Sequence, residues 1–221
     1  MATNLDDYYK EQAQLLLNMQ NLSEYRLTDA ELCDIIITRC KQVGNNMTSV
    51  ELHAYIVLDE YRELTVRTGS LQNRAIMKPY PAQELINDYA RILWQNLQHS
   101  EFALNDADLL ESIYERCKFS RENALYGYLI FERYCFYRAR VEDQGEQKDR
   151  YASEMHTALV DIAASIFNDV HQTQPPWQKF DVANQIAEQL QVSVYLPTYQ
   201  MIVWNEFSKL CKQFSRRLSL S

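Results

Sequence analysis

The sequence predicts an all-α protein, an orthogonal bundle of about nine helices with an internal duplication. Three observations predict it. Only four glycines and five prolines occur in 221 residues, and most fall at isolated breaks: Gly44, Gly69, Pro79 with Pro81, Gly145, and Pro175 with Pro176. Between those breaks apolar residues recur at three and four, the period of a helix with one buried stripe, and sustained strand alternation is missing. Finally, "LTDAELCDIIITRCK" at 27–41 returns as "LNDADLLESIYERCK" at 104–118, an offset of 77 residues.

The elements follow in order. The first is a helix over 5–20. A helix over 28–42 opens on Thr28 and Glu31, the spacing at which a hydroxyl and a carboxylate each satisfy a free backbone N–H. Thr48 with Glu51 opens the next, over 49–66, in the same way. Pro81 suits the start of a helix over 82–98, where its missing donor costs nothing, and Asn105 with Asp108 is a looser cap for 105–118. Periodicity places further helices over 121–140, 150–171, 180–190 and 196–214.

The echo continues past its opening helix. "ELHAYIVLDEY" (51–61) aligns with "ALYGYLIFERY" (124–134), keeping Leu52/Leu125, Tyr55/Tyr128 and Tyr61/Tyr134, with Asp59 opposite Glu132. Each copy reads as an amphipathic helix followed by one apolar nearly all round, which should be central and wrapped by its neighbours. The C-terminal copy is extended by two helices. The expected organisation is an N-terminal helical region (1–100) holding the first copy, a five-helix region (101–214) and a flexible basic tail (215–221), with one continuous domain as the alternative.

Composition narrows function. Twenty-two basic against thirty acidic side chains give a net charge of −8, which repels a polyphosphate backbone, and only "KQFSRR" gathers bases. No nucleic-acid partner is expected. No apolar run approaches the roughly 18–20 residues of a membrane span, and "MATNLDDYYKEQAQ" carries acids where a secretory signal carries bases. Five cysteines without a CxxC fit neither a disulfide scaffold nor a zinc site. A reducing compartment, cytoplasmic or nuclear, is expected, and delivery into a host cell stays open.

Catalytic signatures are missing. His53, His99, His156 and His171 show no HExxH spacing, no glycine-rich loop could cradle phosphate, and there is no GxSxG elbow. His53, inside an apolar helix, reads as a core histidine hydrogen-bonded to a neighbour, and Cys135 in "YCFY" reads as a small core residue. No catalytic residue, metal or cofactor is assigned, which leaves an unrecognised active site as the remaining enzymatic alternative.

The aromatic content points to binding. Fifteen tyrosines and three tryptophans can bury rings while leaving polar tips wet. Tyr126, Tyr134 and Tyr137 lie on helix 121–140 with Arg133 beside them, a mixture in which binding hot spots are enriched. Tyr195, Tyr199 and Trp204 form a second candidate. The competing reading packs these rings into the bundle. In "SRRLSLS", Arg216 and Arg217 before Ser219 resemble a basophilic-kinase site, making Ser219 a candidate phosphate acceptor; alternatively Lys209, Lys212, Arg216 and Arg217 complement the negative end of the last helix.

From Leu104 to Phe214 the helices containing "ALYGYLIFERY", "ALVDIAASIFNDV" and "VANQIAEQLQVSVYLPTYQMIVWNEFSKLCKQF" resemble a cyclin box of the phosphate-pathway or P/U type. That family's second helix reads like "AYIYLDR" and its third like "LLLAAKFLDD"; here Ser165 stands in place of the lysine and Val170 in place of an acid. The resemblance covers about half the chain. It implies a cyclin-like C-terminal half and a non-catalytic regulatory subunit that docks on a protein kinase. The alternative is a tandem helical adaptor, inhibitor or effector that binds a non-kinase protein.

Overall fold

The computed structural model describes residues 5–43, 49–69, 80–98, 104–117, 124–142, 153–172, 177–191 and 197–218. Among them lie nine helices: α1 (Leu5–Leu22), α2 (Asp29–Val43), α3 (Val50–Thr68), α4 (Pro81–Leu97), α5 (Asp106–Cys117), α6 (Ala124–Glu142), α7 (Glu154–Gln172), α8 (Lys179–Gln189) and α9 (Tyr199–Leu218). The chain is an all-α bundle.

The caps show why the helices begin where they do. Thr28 and Glu31 form a complete reciprocal box: the Glu31 N–H donates to Thr28 Oγ1 at 3.2 Å and the Thr28 N–H to Glu31 Oε2 at 2.8 Å. Asn105 Oδ1 likewise accepts from the Asp108 N–H at 3.0 Å. The cap of α3 is Ser49, whose Oγ accepts from the Leu52 N–H; Thr48, expected in that role, lies outside the described residues. Pro81 occupies the first turn of α4, and Gly69 ends α3 at a φ of 62°, the left-handed conformation that suits glycine.

The helices pack in threes. α1 lies along α3, α4 along α6 and α7 along α9, while α2, α5 and α8 each pack against the third helix of their own group. Burial has the same period. Tyr9, Ala13 and Leu16 of α1 correspond to Ile86, Ala90 and Leu93 of α4 and to Leu159, Ala163 and Ile166 of α7, all buried. Leu32, Cys33 and Ile36 of α2 recur as Leu109, Leu110 and Ile113 of α5 and as Val182, Ala183 and Ile186 of α8, again all buried. The central alanine of each first helix leaves room for the third helix to approach. α8 and α9, expected as an extension of a second copy, therefore form with α7 a third group arranged like the first two.

The groups close on one another. α2 touches α4, α5 touches α7, and α8 touches α1, while α3 meets both α6 and α9. α3 is surrounded by α1, α2, α6, α8 and α9, which explains why every residue from Leu52 to Leu58 is buried. One hydrophobic cluster runs through all nine helices, and α4 lies along α6 across the boundary expected at residue 100. The apolar stripe of α4 is buried against α6, so the two regions share a core. α9 also runs further than expected: Arg216 and Arg217, assigned to a flexible tail, form its last turn, where their charge complements the helix dipole.

Candidate functional site

α6 changes character along its length. Ala124, Leu125 and Gly127–Phe131 are buried, but beyond Tyr134 the helix emerges and Phe136 is 47% exposed. Arg133 and Arg140, three residues before it and four after, fall on the same face. Their guanidinium carbons lie 5.7 and 4.7 Å from the Phe136 ring centroid, so both cations stack on one exposed ring. Tyr137 is half-buried, its ring edge-on to Phe136 at 6.1 Å.

A cleft of about 150 Å³ opens beside this patch, between α2, α3, α4 and α6. Its apolar wall is Ile86 and Leu129, and its floor is an ion network. Arg62 donates to both oxygens of Glu132, at 3.1 and 3.0 Å, and to Asp29 Oδ2 at 3.2 Å. Burial opposes the Arg62 charge, but the Glu132 and Asp29 carboxylates outweigh it and hold the guanidinium protonated well above its usual range. Arg133 is oriented by α4, its Nε donating to Asn87 Oδ1 at 2.9 Å. The cleft wall and the charged ring are thus one continuous surface.

The candidate residues separate on this geometry. Arg133 and Tyr137 belong to the patch. Tyr126 is half-buried and donates its hydroxyl to Asp34, which also accepts from Tyr80 at 2.5 Å; Tyr126 clasps α6 to α2. The bond to Asp34 pushes the Tyr80 phenol up to about 12. Tyr134, 5% exposed, packs edge-on against Trp94 at 5.9 Å. Tyr199 and Trp204 are also buried, so these three rings are core rather than surface. Burial pushes the Tyr199 phenol up to about 12. Tyr195 and Ser219 lie outside the described residues.

His53 sits in the core. Its Nε2 lies 3.1 Å from Asn184 Oδ1 and its Nδ1 2.6 Å from the Tyr9 hydroxyl, so an Nε2–H tautomer donates to Asn184 and accepts from Tyr9. Burial lowers its pKa to about 4. The thiols are poor nucleophiles by environment: burial pushes Cys33 and Cys40 upward, and Cys211 to about 11.

Sequence reasoning missed Phe136, Arg140, Arg62 and Asp29. The first two carried a signal, since Arg133, Phe136 and Arg140 share a helical face. Among the described residues no three His, Cys, Asp or Glu side chains are grouped so as to hold a metal ion, and no helix is long and apolar enough to cross a membrane. The chain matches no protein-family model, and no curated protein or solved structure is significantly similar to it.

Proposed function

We propose that the chain is a non-catalytic protein-binding module whose docking surface is the emergent half of α6. The observation that carries this reading is Phe136, exposed and held between two arginines at the mouth of a cleft. Aromatic residues and arginine are enriched at protein interfaces, and arginine at their hot spots. On a chain with net charge −8, a local pair of cations favours a partner segment that offers a carboxylate beside an apolar anchor. The anchor would lie on Phe136 and Leu129, and the carboxylate on Arg133 and Arg140. A protein kinase is the partner that the cyclin-box resemblance implies; a non-kinase protein is the adaptor alternative.

A photo-crosslinking side chain at position 136, used in a lysate of the source organism, tests this. One protein should crosslink there and not at exposed Val66, and Arg133→Glu with Arg140→Glu should abolish the product. Its identity as a kinase would favour the regulatory-subunit reading, and any other protein the adaptor. Equal crosslinking at both positions, or a product indifferent to charge reversal, would remove the proposal.

A further inference from the structure

A second cleft, far in character from the first, lies where the third group of helices closes on the first. The joint between α3 and α6 is satisfied. Tyr55 and Tyr128 meet edge-on at 4.9 Å, the Tyr55 hydroxyl donates to Asn205 at 3.1 Å, and Asn205 is bonded in turn to the Tyr128 hydroxyl. The joint between α3 and the pair α8–α9 is bridged by Tyr55–Asn205, His53–Asn184 and Lys179–Glu60, yet two polar groups beside it lack partners. Among the described residues the indole N–H of Trp204, itself 2% exposed, has no acceptor, and Asp59 has neither a hydrogen bond nor an ion pair.

Both residues line one cleft of about 190 Å³. Its aromatic walls are Trp177, Trp204 and Phe207. The Trp177 ring stands at 86° to Phe207 with centroids 5.3 Å apart, and Trp204 lies 6.0 Å from Phe207. At the rim Lys212 reaches Glu63 at 3.4 Å, yet remains 66% exposed. Burial, with the neighbouring Glu63, raises the Asp59 pKa against the opposing pull of Lys212, Arg62 and Lys179. Leaving the half-buried Asp59 carboxylate without a donor costs stability that a ligand N–H could recover.

We propose that this cleft binds a small zwitterion of the α-amino acid class, its ammonium on Asp59 and Glu63, its carboxylate on Lys212, and its side chain against the aromatic wall of Trp177 and Phe207. The two signs of charge decide the class. A simple amine would meet Lys212, and a simple carboxylate would meet Asp59 and Glu63. A ligand carrying both charges instead replaces the loose Glu63–Lys212 pair with two new ones and gives Asp59 a donor. The volume lies below that of a drug-sized pocket, which limits the ligand to one residue's worth of atoms. The site is separate from the α6 surface, so its failure would leave the docking reading intact.

Isothermal titration of the full chain with L-leucine and L-phenylalanine, with isoamylamine and phenethylamine, and with 4-methylpentanoate tests it. At least one amino acid should bind, with its amine and the carboxylate at least tenfold weaker, and its addition should change Trp177 and Trp204 fluorescence. Asp59→Asn should weaken binding at least tenfold while leaving the fold intact; should that variant fail to fold, the exposed Lys212→Met carries the same test. No heat from either amino acid up to about 10 mM, binding of the amine as tight as that of the amino acid, or affinity unchanged in these variants would each overturn the proposal.

Discussion

His53 shows how one side chain makes folding depend on pH. Its native pKa of about 4 lies below the value of 6.5 it has when unperturbed, because burial disfavours the imidazolium. The native state therefore resists the proton. The stabilisation is whole above about pH 6.5 and is lost as pH falls toward 4, amounting to roughly 3 kcal/mol. Asp59, with a raised pKa, acts in the opposite sense and gains stability as pH falls. Comparing denaturant midpoints of the wild type and His53→Leu from pH 7.5 to 4 separates the two: the variant should be less stable at pH 7.5 by about 2–4 kcal/mol, having orphaned Tyr9 and Asn184, and the gap should narrow with acid. At the second charged centre, Arg62→Ala leaves Glu132 and Asp29 without their shared cation. The guanidinium is a third exposed, so the expected cost is about 2 kcal/mol, below the 3–5 of a fully buried pair. A loss under 0.5 kcal/mol in urea unfolding would contradict the role given to this network.

The elements repay the same reading. Ala13, Ala90 and Ala163 occupy the corresponding place in α1, α4 and α7, buried where each first helix meets its third. Ala90→Leu or Ala163→Leu should therefore cost about 1–3 kcal/mol by overpacking, whereas a leucine at exposed Ser165 on α7 should be tolerated. Thermal unfolding of the three variants checks this. The helices themselves were legible: all nine stand within four residues of their expected ends, since capping chemistry at Thr28 and Asn105 is local and needs no knowledge of the fold. Which aromatic side chains face outward was not. Tyr134 and Trp204 look as interfacial as Phe136 in the sequence, because nothing local states that α4 covers Tyr134 and that α6 leaves its neighbours' reach beyond it. A pattern apolar on every side hides the point at which a helix emerges.

Over the molecule as a whole, three similar groups share one core, and this too was only partly legible. The sequence echo between 27–41 and 104–118 survives in matching side chains, while the third group keeps only the buried positions, Val182 for Leu109 and Ala183 for Leu110. Periodic burial outlasts identity because packing constrains volume and position more than residue type. A shared core predicts one cooperative transition: far-ultraviolet and near-ultraviolet circular dichroism should give coincident urea curves. Two resolved transitions would restore a division near residue 100. The proposed docking surface is centred on Phe136, an exposed side chain outside this core, so its assignment is testable without touching the fold. The decisive quantity is the dissociation constant of the partner crosslinked at position 136, measured by titration for the wild type and for Phe136→Ala with unchanged melting temperature. A docking surface centred on this ring predicts at least a tenfold weakening, about 1.4 kcal/mol. Equal affinities would contradict it.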